Sequence, residues 1–222
     1  MRSWNALVLA GALLLAVPVL PLTAVAQDGN TAINANTSDP SQLVQQVAEG
    51  FLTDLSKDRA HYRQDKNALK QLVDKDLLPY FDLEYSARLV LGRHARTVTP
   101  EQRQAFITAF ENSMLSNYGT ALVEFQPNRL KVLPTKVEPD ATSVIVRSEI
   151  RRDDASSVPV NYALHKTAQG WKAWDVIIEG ISYVKSFRDD FGAQIDQQGI
   201  DAVIKRLQSG EKPTEITKPK GK

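Results

Sequence analysis

The chain has 222 residues, with 27 Lys and Arg against 26 Asp and Glu, a balance too even for a nucleic-acid binder, which carries a strong basic excess. It contains no cysteine, which excludes a disulfide scaffold, thiol catalysis, thiolate metal sites and a lipoprotein anchor. Stability must come from packing alone, and the length suffices for one domain with a full core.

Arg2, the apolar run Ala6–Leu20 and the small-x-small stretch Ala24-Val25-Ala26 read as a secretory signal peptide over 1–26. The apolar run is too short for a membrane span of ~20 residues. Its removal takes Arg2 away and leaves a neutral, exported chain. Residues 27–39, QDGNTAINANTSD, are polar and small and read as a disordered leader. The first helix then opens with Asp39 as N-cap and Pro40 at its first position, and Leu43, Val44, Val47, Phe51, Leu52 and Leu55 form its inward stripe. A second helix covers 66–77, with Leu69, Leu72, Val73 and Leu77 inward, and Pro79 stops it. Asp82 caps a short helix that runs to Leu91, where Gly92 is placed as a C-terminal cap. Thr99-Pro100-x-Gln102 is a capping box. It opens the longest helix, 100–124, about 35 Å at the α-helical rise, along which Phe106, Phe110, Met114, Tyr118 and Leu122 recur every four residues.

The period then changes to two. Strands are expected at 130–133, 142–151, 158–166 and 171–179, joined by short links rich in turn residues, so consecutive strands pair antiparallel as a four-stranded meander. On the last strand, alternation sets Trp174, Val176 and Ile178 on one face and Trp171, Ala173, Asp175 and Ile177 on the other. Both faces are apolar except for one carboxylate. A final helical stretch opens at Ser182, breaks at Gly199 and resumes through Leu207; residues 209–222 form a flexible basic tail. Helices before and after an antiparallel sheet define an α+β domain over 40–208.

Catalytic groups are sparse. His61, His94 and His165 occupy no metal-ligand spacing and read as surface residues, so neither a cofactor nor a metal is expected. Asp153-Asp154 and Asp189-Asp190 are chain neighbours that point apart. Asp175 is the residue on which an enzyme would rest, as general base toward a small molecule. The plainer reading gives it a partner, Arg147, Arg151 or backbone amides, because a buried unpaired carboxylate costs several kcal/mol. A stronger signal is the surplus of apolar residues over what one sheet–helix interface needs. A filled core and a cavity lined for an apolar ligand share this periodicity. Carrier, enzyme and solid-cored adaptor all remain open on that evidence.

The wording of two stretches goes further. LLPYFDLEYSARLVLGRHARTVTPEQRQAFITAFENSMLSNYGTAL (Leu77–Leu122) resembles the central helices of the MlaC family of periplasmic phospholipid carriers, also called toluene-tolerance auxiliary proteins. Gly170–Leu207 resembles the last strand and closing helices of that family. The likeness rests on Pro79-Tyr80-Phe81, Leu91-Gly92, Pro100-x-Gln102, Trp171, Asp175 and Glu179-Gly180-x-Ser182, and it reaches neither the leader nor the tail. It implies a periplasmic protein that holds the acyl chains of a phospholipid in an apolar cavity between sheet and helices. It further implies shuttling between an outer-membrane lipoprotein–porin complex and an inner-membrane ABC transporter with MCE domains, which maintains outer-membrane lipid asymmetry. No enzyme is implied, and Asp175 and Glu179 become structural. A monomer is expected. By face assignment the cavity lining is Phe106, Phe110, Met114, Val146, Tyr162, Leu164, Trp174 and Val176. The candidate docking charges are Arg93, Arg96, Arg151 and Arg152. A carrier makes physical sense for such a ligand. Two sixteen-carbon chains hold about 28 methylenes, and at ~0.8 kcal/mol each their exposure to water would cost on the order of 20 kcal/mol.

Overall fold

Helix starts in this protein are written by side-chain caps. The computed structural model describes residues 32–126, 129–152 and 155–211; the signal peptide expected at 1–26, the start of the leader and most of the tail lie outside the described residues. Asp39 accepts from the amides of Ser41 and Gln42 at the head of α1 (Pro40–Lys57). Asp58 and Asp65 repeat the device for α2 (Arg59–Gln64) and α3 (Lys66–Asp76), and Asp82 for α4 (Leu83–Leu91). Thr99 and Gln102 close both halves of the capping box of α5 (Pro100–Glu124). Each cap satisfies amides that the first helical turn leaves without partners. Gly92 ends α4 at φ +55°, a conformation that favours glycine. After the sheet come α6 (Tyr183–Gln198) and α7 (Ile200–Gln208), separated at Gly199. Periodicity does not announce α2, because none of its residues is buried.

The α+β class holds, with six strands in place of the expected four. They are β1 (Leu130–Val132), β2 (Ser143–Val146), β3 (Ser148–Arg151), β4 (Ser157–Thr167), β5 (Gly170–Ile178) and β6 (Ile181–Ser182). The order is β1-β3-β4-β5-β6, with β2 also on β4. The predicted strand 142–151 breaks at Arg147, yet Val146 opposite Tyr162 and Ile150 opposite Val158 keep one register across the break. There the Ser148 hydroxyl donates to the Val160 carbonyl. A Glu179-Gly180 turn, both residues at positive φ, adds the two-residue β6 to the edge of β5.

The leader is a correction. From residue 33 onward it is docked, not disordered. Ile33 packs into the apolar interior and Ala35 is buried. The Tyr80 hydroxyl donates to the Ile33 carbonyl and accepts from the Ala35 amide. The Trp171 amide donates to the Thr37 carbonyl at 2.8 Å, and Gly170 lies so close to Thr37 that a Cβ there would meet its side chain at 2.5 Å. Apolar anchors spaced among polar residues escape a reading by composition.

The interior falls into three apolar clusters where one contiguous core is usual. The first joins α4, α5, α6 and α7 around Phe106, Phe110, Phe187 and Phe191. The second joins α1, α3 and the end of α5 around Leu55, Leu72 and Val123. The third seats α1 on the sheet through Leu43, Val44, Val146, Leu164 and Trp171.

Asp76, at the end of α3, is fully buried, and neither carboxylate oxygen has a hydrogen-bond donor. The Lys75 ammonium is 3.4 Å away and is shared with Asp54 of α1 at 2.7 Å. Burial pushes the Asp76 carboxyl above the usual carboxylate range; the pull of Lys75 opposes this and the charge of Asp54 adds to it. A carboxyl raised on folding stabilises the fold while protonated and loses that contribution as pH rises through the raised value. Asp76→Asn is therefore expected to stabilise the protein at pH 7 by about 1 kcal/mol or more, with the gain fading as pH falls into the ordinary carboxylate range. Denaturant unfolding of both forms across pH checks this; equal stability at pH 7 would contradict it.

Candidate functional site

One extra residue shapes β5. Ala163 faces Asp175 and Leu164 faces Ala173, so Trp174 is bulged out of the ladder. The expected faces change accordingly. Trp171 and Ala173 share a face with Val176 and Ile178, opposite Lys166, Leu164, Tyr162 and Val160 in turn. Trp174 is a correction: it leaves that face and packs with the helical cluster, its ring 5.7 Å from that of Tyr85 in α4.

Asp175 beside it is buried and paired, though with neither arginine. One oxygen accepts from the Val184 amide at 3.0 Å and the other from the Ser182 hydroxyl. Ser182 in turn accepts from the Lys185 amide as N-cap of α6. Both carboxylate oxygens thus hold the fold's own donors, in the geometry of a negative charge at a helix N-terminus. The histidines need correcting too. His61 is exposed, but His94 and His165 are half-buried beside acids: His165 Nε2 lies 3.0 Å from Asp82 Oδ2, and His94 Nε2 3.3 Å from Asp196 Oδ1. No group of three or more His, Cys, Asp or Glu among the described residues could hold a metal.

The expected lining residues separate. Phe106 and Phe110 stack at 5.8 Å and meet Phe191 edge-on, with Phe106 at 0% exposure. Val146 and Leu164 are likewise at 0%, beneath α1. These four spend their surface on protein. Met114, Tyr162 and Val176 remain half-buried.

Strand register shows what the half-buried residues belong to. Leu130 pairs with Ile150, Ile150 with Val158, Val160 with Ile178, and Tyr162 with Val176. Alternation places all seven on one face, as a continuous apolar stripe across four strands. Apart from Tyr162, at the border of the α1 cluster, none of them enters any of the three cores. Most of the stripe keeps accessible surface although it crosses the middle of the sheet. Burial pushes the Tyr162 phenol above the usual tyrosine range, partly offset by the Ser148 hydroxyl. Tyr162 itself is half-buried. Helix α1 lies against β1, β2 and β5, and α4 and α6 lie against β5, whereas α5 packs on α2, α3, α4 and α7. The second half of α5 presents half-buried Met114 and Tyr118, the latter's ring 6.0 Å from that of Tyr183 in α6. The lining expected from face assignment includes none of Leu130, Ile150, Val158, Val160 or Ile178. Cross-strand register is the signal that groups them.

Of the candidate docking charges, Arg93 pairs with Asp196, and Arg96, Arg151 and Arg152 are exposed. No helix of the described residues is long and apolar enough to cross a membrane.

Comparison with known proteins adds the following. The family model described as "MlaC protein" matches residues 45–209. The chain is 30% identical over 183 residues to the "Intermembrane phospholipid transport system binding protein MlaC" of Haemophilus influenzae, covering 80% of this chain and 84% of that protein. It is 30% identical over 163 residues to the "Toluene tolerance protein ttg2D" of Pseudomonas putida, covering 73% and 75%. Among solved structures, a phospholipid-binding protein from Ralstonia solanacearum, in complex with a phospholipid, shares the fold with a TM-score of 0.70 at 24% identity. It covers 75% of this chain and 93% of its own.

Asp175→Ala is expected to cost about 2 kcal/mol, because the Val184 amide and the Ser182 hydroxyl lose their acceptor. Asp175→Asn, which keeps one acceptor oxygen, should cost less. Thermal unfolding reads the difference, and an alanine variant with the parental Tm would contradict the assigned role.

Proposed function

The chain belongs to the MlaC family, and from that premise we propose that it is a periplasmic phospholipid carrier. The observation that carries this reading is the half-buried apolar stripe across β1, β3, β4 and β5 that no protein core absorbs. Acyl chains lie along Ile150, Val158, Val160, Tyr162, Val176 and Ile178. The polar headgroup stays toward solvent, where it costs no desolvation.

Such a protein works without bond chemistry. An interior of the polarity of a bilayer makes extraction and delivery nearly isoenergetic and removes the penalty of about 0.8 kcal/mol per exposed methylene. The paired state of Asp175 fits this role, since its lone pairs already serve β5 and α6. Cargo moves between an outer-membrane lipoprotein–porin complex and an inner-membrane transporter with MCE domains, and this traffic keeps phospholipid out of the outer leaflet. The carrier is exported by the N-terminal signal and works as a monomer.

Protein purified from the periplasm, extracted with organic solvent, is expected to release phospholipid at near one molecule per chain. Val160→Trp and Val176→Trp each fill part of the stripe and should lower that yield several-fold, with the far-ultraviolet circular dichroism retained. A parent protein that is bare and takes up nothing from liposomes, or variants with undiminished lipid, would contradict the proposal.

A further inference from the structure

Helix α6 carries a glycine that its own packing does not explain. Gly192 lies inside the helix, where glycine is the weakest helix former after proline. A Cβ built there would meet nothing within 4 Å, so close approach of another element is not the reason for it. What the missing side chain leaves is space. Gly192 lines a cleft of about 280 Å³ between α6 and the 3-10 turn Gly92–Arg96. The cleft is flanked by two guanidinium groups. Arg93 is 74% exposed and shares Asp196 with His94. Arg188 crosses from α6 with its stem against Gly92 and has Asp189, 3.6 Å from Nε, as its ionic partner among the described residues. The His94 Nε2 atom, at the inner wall, is shielded from solvent and makes no hydrogen bond. Arg96, exposed on the same turn, adds a further positive charge. The buried stripe of α6, Val184, Phe187, Phe191 and Ile195, serves the helical core, so this face is independent of the lipid stripe on the sheet.

We propose that this cleft is a docking site for a partner protein that inserts an acidic side chain over Gly192 between Arg93 and Arg188. Charge complementarity selects an acidic partner: the three arginines Arg93, Arg188 and Arg96 outnumber the acids paired to them, Asp196 within the cleft and Asp189 beside Arg188. Glycine at 192 gives the incoming side chain its room, and the guanidinium groups give it bidentate, charge-assisted hydrogen bonds. The carrier reading supplies only where such a partner resides, in the membranes that give up and receive lipid. The docking itself is readable without lipid.

The test is co-sedimentation of the full mature chain with membrane vesicles from the cells that make it, beside protein-free vesicles of the same lipids. Gly192→Gln fills the cleft with a better helix former, and Arg188→Glu reverses one flank. The parent is expected to bind the native vesicles in a salt-sensitive manner, and each variant to lose about tenfold or more in affinity at an unchanged or raised Tm. Arg188→Lys should retain much of the binding. Variants that bind like the parent, a parent that does not bind, or equal binding to the protein-free vesicles would each overturn the proposal. A parent that docks through the cleft yet yields no phospholipid on extraction would sink the carrier reading and leave this one standing.

Discussion

The extra residue in β5 and the carboxylate next to it order everything around them. In an unbroken strand, Trp171 and Ala173 could not share a face with Val176 and Ile178. The bulge at Trp174 allows it, so that one end of the face is sealed by α1 and the other carries the apolar stripe. Asp175 then receives the Val184 amide and the Ser182 hydroxyl, fixing the start of α6 on the opposite side. A single irregularity therefore sets which apolar residues become core and which keep accessible surface.

The long helix α5 is held from the helical side. Arg59 donates to the Val123 and Phe125 carbonyls at its C-terminal end, where unpaired carbonyls concentrate. Arg63 pairs with Glu124 and Lys70 with Glu111, and Phe106 and Phe110 lock its first half into the aromatic cluster. Held in this way, α5 takes its support from α2, α3, α4 and α7. The division into three cores follows: protein fills the two helical interfaces and the α1–sheet contact, and none of the three takes up the rest of the sheet's apolar stripe.

Much of this was legible in local sequence, because caps act over three or four residues. Asp39-Pro40, Asp82 and Thr99-Pro100-x-Gln102 locate their helices within a residue or two. The strand positions and the α+β class follow from the change of period. The bulge is a different matter: it is a property of pairing with β4, and nothing in GWKAWDVII marks Trp174 as the extra residue. Asp82 and His165 are likewise 83 positions apart, a contact no local pattern reports. Phe106, Phe110, Val146 and Leu164 show the limit of periodicity. It says that a side chain points inward, not whether protein or cargo meets it. The leader misled for a related reason, since Ile33, Ala35 and Thr37 dock singly among polar neighbours.

The central claim, that cargo lies on the sheet stripe and not among the stacked phenylalanines, is tested most directly by photolabelling. A phospholipid with a diazirine on one acyl chain would be loaded into the protein and illuminated, and the labelled peptides identified by mass spectrometry. Label on β3, β4 and β5 at Ile150, Val158, Val160, Val176 or Ile178 is the predicted result. Label confined to Phe106, Phe110, Phe187 and Phe191, or to the Trp174 side of the sheet, would contradict it.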